Sequence, residues 1–292
     1  MTVAAFLQQT ACLCRAWIAF FATCAAVTGG LLASQQSHSI VGVTALAVFL
    51  LAAGASALNQ YQERDIDARM KRTRHRPLPA GIISPSQALS VALLLIFSGL
   101  SMLAFACGKG PVLLGMIALL WYNGAYTYLK RLTAFAAVPG AIVGMIPPVI
   151  GWTAAGDRFT DPRLLVVCLL FFLWQVPHFW LQVLHHGEEY EQAGLPSLTE
   201  VLGKRQIARI TLIWICSTAV ASLLLPLYGN LTSPLLYCPL LIAAVWTMVK
   251  AVNLVTAPRT PALSLAAFRY LNIFIFIVMS LLSMEKILGR LQ

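Results

Sequence analysis

Charge is scarce in this chain. Only 10% of its 292 residues are charged, whereas 59% are hydrophobic. An ordinary soluble domain carries roughly a quarter charged residues, so this composition excludes one and predicts a polytopic membrane protein. The sequence also lacks a separate polar domain, a low-complexity segment and a strong internal repeat. We therefore expect a single transmembrane domain over residues 1–292.

Paired cysteines are absent as well. The seven cysteines are scattered, and none of them forms a Cys-x-x-Cys pair. Most of them lie in apolar runs, where cysteine behaves as a small buried hydrophobic residue. This distribution argues against a disulfide framework and against a cysteine-based metal site.

Apolar runs dominate what is present. Nine of them approach the roughly 20 residues that a helix needs to cross a bilayer. We therefore predict an all-α bundle of nine transmembrane helices. The runs are Ala16–Ala33, Ile40–Leu58, Ser86–Cys107, Pro111–Leu129, Ala134–Ala155, Leu164–Leu184, Ile207–Leu227, Leu235–Val255 and Ala267–Leu288. The Pro147-Pro148 pair is expected to break or kink the fifth run.

The basic residues are distributed asymmetrically. Fifteen of the twenty lie before the first run or in the connections after runs two, four, six and eight. Because lysine and arginine accumulate on the cytoplasmic side, we expect a cytoplasmic N-terminus and an external C-terminus. The same rule accounts for the net charge of +10, so no nucleic-acid partner is needed.

The segment Asn59–Gly81 combines acidic and basic residues directly after an apolar run. If the helix continues, Asn59, Glu63 and Asp67 fall at i, i+4 and i+8 on one face. One amide and two carboxylates are hard oxygen ligands of the kind that bind Mg²⁺ together with a phosphate. The alternative is a solvated loop whose charges only set the topology.

A second polar cluster lies in 171–202. Trp174, Gln175 and His178 surround Pro177 near the end of an apolar run, and an intramembrane histidine is a functional candidate. The alternative is packing at the membrane interface within an aromatic belt. The loop His185–Lys204 is expected to be a polar connection beside the site. Its acidic residues offer either a second metal clamp or a solvated turn; they are Glu188, Glu189 and Glu191.

Tyr126 and Lys130 are four residues apart, so they share a helix face. A phenol and an ammonium in this arrangement can both donate hydrogen bonds to a phosphate oxygen. The alternative is an ordinary interfacial anchor.

These motifs resemble those of the UbiA superfamily of intramembrane prenyltransferases over nearly the whole chain. The superfamily's Asn and two acids correspond to Asn59, Glu63 and Asp67, with Glu63 where aspartate is commoner. Its basic element corresponds to 71–78, and its Tyr-x-x-x-Lys to Tyr126 and Lys130.

Within the superfamily, the segments 174–180 and 189–196 resemble the heme O synthase branch. Two departures from the branch lie near the expected substrate entrance, at 14–16 and 197–199. They bear on the identity of the substrate more than on the chemistry.

The resemblance implies farnesyl transfer from farnesyl diphosphate to protoheme IX in a bacterial plasma membrane. It implies Mg²⁺ as cofactor, with Asn59, Glu63, Asp67 and Glu189 as ligands. Diphosphate donors would be Lys71, Arg72, Arg76, Tyr126, Lys130 and Arg131. Contacts to heme or the prenyl chain would come from Trp174, Gln175, His178 and Phe179, with His178 also a catalytic candidate.

Heme A synthase and assembly factors of a terminal oxidase are the implied protein partners. Three other interpretations stay open. They are a prenyltransferase for another aromatic or tetrapyrrole acceptor, a transporter whose acidic face binds a cation, and a non-enzymatic assembly protein.

Overall fold

A computed structural model describes residues 3–33, 38–156, 158–256 and 261–288. All regular secondary structure in those ranges is helical. The first half contains α1 Val3–Leu13, α2 Ala16–Leu32, α3 His38–Gln62, α4 Arg64–Arg69, α5 Pro85–Ala106, α6 Lys109–Leu119, a π-helical stretch Leu120–Tyr126 and α7 Thr127–Leu129. The second half contains a 3₁₀ turn Ala134–Ala136, α8 Ala137–Gly140, α9 Ile142–Ala154, α10 Pro162–Gln192, α11 Leu198–Val201, α12 Lys204–Ser222, α13 Leu224–Leu227, α14 Pro234–Thr256 and α15 Pro261–Leu288.

Each of the nine predicted runs lies on helical structure, which confirms the predicted fold class. Eight helical segments are long and apolar enough to cross a membrane, and Ala16–Leu32 is a shorter apolar helix. Large apolar side chains also cover the outside of the bundle; Phe105, for example, is 91% exposed. Such a surface is stable only against lipid, so the chain is a multi-pass membrane protein.

The sixth span is longer than predicted. The sequence placed its end at Leu184 and a polar loop from His185 onward, but α10 continues to Gln192. The apolar run marks only the part of the helix inside the hydrocarbon, because the polar turns beyond it can be satisfied by water.

Of the break or kink expected at Pro147-Pro148, the break does not occur, since α9 runs through both prolines. The helix is instead interrupted earlier, at Ala141. A membrane helix tolerates proline where neighbouring helices and local adjustments accommodate the freed carbonyl groups.

The spans pack in a closed cycle. Each of α2, α3, α5, α6, α9, α10, α12, α14 and α15 contacts the next, and α15 contacts α2 again. A further contact joins α2 to α9. This cyclic arrangement brings the ends of α3, α7 and α10 toward one another, and the polar residues lie there.

Glycines allow α2 and α9 to pack closely. A methyl group added at Gly29 would lie 2.0 Å from the carbonyl oxygen of Pro148, and one added at Gly151 would lie 1.9 Å from that of Ala26. Small residues commonly permit such close backbone contact between membrane helices.

We therefore expect Gly151→Ala to destabilise the protein, because the backbone of α2 must move to admit the methyl group. The expected loss is about 1–3 kcal/mol, as for other overpacked cores. Thermal unfolding in detergent micelles would measure it. Gly42→Ala is the control, since no atom lies within 4 Å of the added methyl group. Equal stability of the two variants would contradict the close-packing account.

Candidate active site

Asn59 is held in one orientation by a hydrogen-bond chain. Its Nδ2 donates to Oγ1 of Thr127 at 3.0 Å, and that hydroxyl donates to the carbonyl of Tyr122 at 2.9 Å. Because Thr127 donates its hydroxyl proton to the Tyr122 carbonyl, it must accept a hydrogen bond from Asn59. The NH₂ group of the Asn59 amide therefore faces Thr127. The carbonyl comes from the π-helical stretch, a feature often found at functional sites.

The remaining amide oxygen of Asn59 has no hydrogen bond among the described residues. Asn59 is completely buried, and its Oδ1 has no partner there. Leaving a buried polar atom unsatisfied costs about 1–3 kcal/mol, so such an atom calls for an explanation. A bound cation would provide the missing interaction.

Glu63 and Asp67 follow Asn59 at four-residue intervals, so all three side chains lie on one helical face. The helix is interrupted at Glu63, between α3 and α4, yet two backbone hydrogen bonds continue the i, i+4 pattern. The amide of Glu63 donates to the carbonyl of Asn59 at 3.0 Å, and that of Asp67 to the carbonyl of Glu63 at 2.8 Å. The carboxylates are only 5% and 4% exposed.

Each buried carboxylate is paired with a cation. Arg76 binds Oδ2 of Asp67 at 2.7 Å, and Lys130 forms an ion pair with Oε1 of Glu63. Burial lowers the pKa of Lys130, and the charge of Glu63 opposes that shift. Burial also lowers the pKa of Arg76, and the positive charge of Arg15 lowers it further. These cations crowd together around the acids, an arrangement that an additional anion would stabilise.

The donor set fits a hard divalent cation. Asn59 offers an unpartnered amide oxygen, and the ion pairs of Glu63 and Asp67 each use one carboxylate oxygen. One amide and two carboxylates leave room for phosphate and water in an octahedral shell, which suits Mg²⁺. No cluster of three or more His, Cys, Asp or Glu side chains suited to a metal occurs in the described ranges. A site here therefore depends on Asn59 or on ligands from a substrate.

Arg15 belongs to the same group of charges, although the sequence indicated for it a topological role and, by resemblance, only a place near the substrate entrance. It connects α1 and α2 in the left-handed conformation, with φ of 46°. Its Nη1 donates to the hydroxyl of Tyr122 at 3.4 Å, and its charge interacts with Glu63 and Asp67. The signals available were a lone charged residue directly before the first apolar run and the position of 14–16 near the expected substrate entrance.

The two polar segments of the chain meet. The backbone amide of Arg72 donates to Oε2 of Glu189 at 3.2 Å. Around this contact, apolar side chains from both segments form one small cluster; they are Ile66, Met70, Tyr190, Ala193 and Leu195. Glu189 therefore holds the basic loop against the end of α10.

The neighbouring acids of Glu189 have protein partners of their own. Glu188 pairs with Lys204 at 3.4 Å, and Glu191 accepts a hydrogen bond from Thr199. These contacts tie the end of α10 to the following α11 and α12.

Aromatic contacts extend into the bundle from Asn59, Glu63 and Asp67, which we call the acidic group. Lys130 lies 5.6 Å from the centre of the Tyr126 ring, so these residues share a helix face. Tyr126 stacks on Phe179 at 5.5 Å, Phe179 contacts His178 at 5.7 Å, and His178 contacts Trp174 at 4.9 Å. We call Tyr126, Phe179, His178 and Trp174 the aromatic path.

Other predicted residues are placed differently. Arg131 donates to the carbonyl of Gln62 at 2.8 Å and lies 3.8 Å from Asp65. Its guanidinium therefore lies on the helical face opposite to Glu63 and Asp67. Lys71 and Arg72 are exposed in the loop after α4. Gln175 lies against Gly144, where an added methyl group would come within 2.5 Å of its Oε1.

A profile described as the UbiA prenyltransferase family matches residues 15–276. The chain belongs to the UbiA prenyltransferase family. Every residue of the acidic group and of the aromatic path falls inside the matched part of this UbiA chain.

Curated relatives of this UbiA protein include two named protoheme IX farnesyltransferase. The one from Geobacter sulfurreducens is 44% identical over 222 residues, which cover 76% of this chain and 82% of the relative. The one from Oleidesulfovibrio alaskensis is 34% identical over 281 residues, covering 96% and 97%.

Solved structures share the fold. A digeranylgeranylglyceryl phosphate synthase structure aligns with a TM-score of 0.73 at 19% identity, over 96% of this chain and 98% of the other. A UbiA homolog from Archaeoglobus fulgidus, solved with GPP and Mg²⁺, aligns with a TM-score of 0.64 at 17% identity, over 94% and 99%.

We expect Thr127→Val to weaken divalent-cation binding, because the amide of Asn59 loses the acceptor that fixes its orientation. Loss of a group that hydrogen-bonds a metal ligand typically costs about 10- to 100-fold in metal affinity. A Mg²⁺ titration of farnesyl diphosphate binding would measure the effect.

The matched control for Thr127→Val is Thr218→Val. Thr218 is equally buried, but its hydroxyl donates to the carbonyl of Trp214 on its own helix, away from the acidic group. If both variants kept the wild-type Mg²⁺ dependence, the hydrogen-bond chain would have no part in metal binding.

Proposed function

We propose that this protein transfers a farnesyl group from farnesyl diphosphate to a vinyl group of protoheme IX, giving heme O and diphosphate. Similarity to the two protoheme IX farnesyltransferases, one of them aligned over 96% of the chain, carries this proposal. We further propose that residues 1–292 form one catalytic domain.

The donor diphosphate binds at the acidic group in this proposal. Asn59, Glu63 and Asp67 hold Mg²⁺, whose chemistry when bound is to neutralise the diphosphate and make it a better leaving group. The fold neighbour solved with GPP and Mg²⁺ supports the use of a divalent metal in this fold. Glu189 would add a further ligand after a shift from its contact with the backbone of Arg72.

Cationic and hydroxyl donors complete the diphosphate site. Lys130 and Arg76 already lie against the acids, and both can turn a hydrogen bond toward phosphate when the substrate arrives. Arg15 adds a third cation, and the Tyr126 hydroxyl a neutral donor. Lys71, Arg72 and Arg131 stand further out and would guide the anion inward. Donors already in place where charge develops stabilise the transition state.

The transfer follows from this placement. The bond between C1 of the farnesyl chain and the diphosphate oxygen breaks, and the electron pair leaves with diphosphate. The rings of Tyr126 and Phe179 stack beside the diphosphate site, where they stabilise the allylic cation by cation–π interaction. A vinyl carbon of protoheme IX then bonds to C1. Water adds to the other vinyl carbon and loses a proton, which leaves a hydroxyl group on the product.

The acceptor lies along the aromatic path in this proposal. The rings of Trp174 and His178 contact each other, and His178 is separated from Tyr126 by the ring of Phe179. Flat rings and an imidazole suit a porphyrin better than a small phenol. Gln175 directly follows Trp174 on α10 and would contact the prenyl chain or the porphyrin edge.

We place the protein in a bacterial inner membrane, with its N-terminus cytoplasmic and its C-terminus outside. The distribution of lysine and arginine supports this orientation. Heme A synthase and assembly factors of a terminal oxidase are its proposed protein partners.

The deciding experiment supplies purified protein in detergent with Mg²⁺, farnesyl diphosphate and heme B, and follows the product by mass. A Mg²⁺-dependent farnesylated hydroxyethyl heme is the expected result. Prenyl transfer only to a phenolic or quinone precursor would overturn the acceptor assignment. Absence of both transfer and diphosphate binding would favour a transporter or an assembly protein.

Asp67→Asn should reduce farnesyl transfer by at least about 100-fold, the order found when a group that stabilises developing charge is removed. Steady-state assays at saturating Mg²⁺ would measure it. Asp65→Asn is the matched control, because that carboxylate lies on the same short helix, is 57% exposed and faces Arg131. If both variants lost the same farnesyl-transfer activity, the activity would depend on the total charge of α4 and not on the position of Asp67.

A further inference from the structure

Asn272 on α15 lies outside the sequence motifs of the site, yet it contacts His178 directly. Its Oδ1 is 2.9 Å from Nδ1 of His178. Its Nδ2 donates to the carbonyl of Phe268, one turn earlier on the same helix, at 2.7 Å. The amide is therefore held at both ends.

These two hydrogen bonds determine which nitrogen of His178 carries the proton. A carbonyl can only accept, so the atom of Asn272 that faces Phe268 must be the NH₂ group. The opposite arrangement would bring two acceptor oxygens together. The Oδ1 atom therefore faces the imidazole, and Nδ1 of His178 must donate to it.

The surroundings of His178 favour the neutral ring. Trp174, Phe179 and Phe268 contact the imidazole, with ring centres 4.9, 5.7 and 4.7 Å away. Apolar surroundings disfavour a charge that has no partner. A neutral imidazole protonated on Nδ1 has its lone pair on Nε2, and Nε2 has no hydrogen bond in the part of the chain that the structure describes.

We propose that Asn272 is a positioning residue that fixes His178 in the Nδ1-protonated tautomer, so that Nε2 can bind the iron of the porphyrin acceptor. This inference rests on the proposed function, because it takes the acceptor to be a metalloporphyrin. A histidine that binds a metal normally donates its other N–H to an oxygen, which orients the ring and strengthens the ligand. The contact between α10 and α15 supplies that oxygen before the acceptor arrives.

Such a ligand would also explain how one vinyl group is selected. An axial bond fixes the iron over His178, and the rings of Trp174 and Phe268 limit rotation of the porphyrin about that bond. Phe179 and Tyr126 lie on the side toward the diphosphate, so the selected vinyl group would face C1 of the farnesyl chain. Asn272 acts on this geometry only through His178.

The test is a titration of the purified full-length protein with heme B, with the ligation of the ferrous complex read by resonance Raman spectroscopy. The wild type should show an iron–histidine stretch, and His178→Ala should lose it. Asn272→Leu removes the acceptor and should weaken heme binding about 10- to 100-fold. Asn272→Asp loses the hydrogen bond to Phe268 but keeps an acceptor for Nδ1, and a carboxylate accepts more strongly than an amide. Binding should therefore persist, and the stretch should move to higher frequency.

Two controls separate positioning from damage to the fold. Asn253→Leu changes an exposed asparagine on α14 and should leave heme binding and the stretch as in the wild type. Mg²⁺-dependent farnesyl diphosphate binding should be unchanged in both Asn272 variants, because Asn272 does not contact the diphosphate site. A general loss of structure would reduce both ligands and would not raise the stretching frequency.

The outcomes for function and for positioning can be told apart. If the wild type farnesylates heme but shows no stretch that depends on His178, the iron ligand is overturned and the proposed function stands. If Asn272→Leu and Asn272→Asp both match the wild type in affinity and frequency, the positioning role is overturned. If the wild type neither binds nor farnesylates heme, the acceptor assignment and this inference fail together.

Discussion

The pairing of two buried carboxylates with two cations determines how the polar residues of the bundle are arranged. Glu63 and Asp67 are almost inaccessible, and charges so placed are stable only when they are paired. Their partners come from elsewhere in the chain, Lys130 from the end of α7 and Arg76 from the loop after α4. Folding therefore gathers positive and negative groups in one place. An entering diphosphate with a divalent cation can exchange with these pairs without leaving a charge uncompensated.

The aromatic path leads from the paired charges into apolar surroundings. It begins at Tyr126 beside Lys130 and ends at Trp174, so the chemistry is polar at one end and apolar at the other. That gradient suits a substrate with a charged head and a long hydrocarbon chain. In the proposed reaction, its apolar end would surround the carbon that loses the diphosphate.

Most features that depend on local spacing and composition could be predicted from the sequence, although the fifth run is interrupted at Ala141 and not at Pro147-Pro148. The sequence predicted the nine spans and the shared helical face of Asn59, Glu63 and Asp67, because both follow from helix periodicity. It did not reveal the roles of Arg15 or Asn272, since each acquires its role from a residue more than ninety positions away. It also ended the sixth span too early, because hydropathy detects the membrane-embedded part of a helix and not its polar extension.

Whether Asn59, Glu63 and Asp67 hold the metal can be tested by locating it in a complex with farnesyl diphosphate. Mn²⁺ would replace Mg²⁺, and the anomalous scattering of Mn²⁺ would give its position. We expect the anomalous peak of Mn²⁺ at coordination distance, about 2.1 Å, from the amide oxygen of Asn59 and from carboxylate oxygens of Glu63 and Asp67. A metal held only by Glu188, Glu189 or Glu191, or a diphosphate bound far from Lys130, would contradict this expectation.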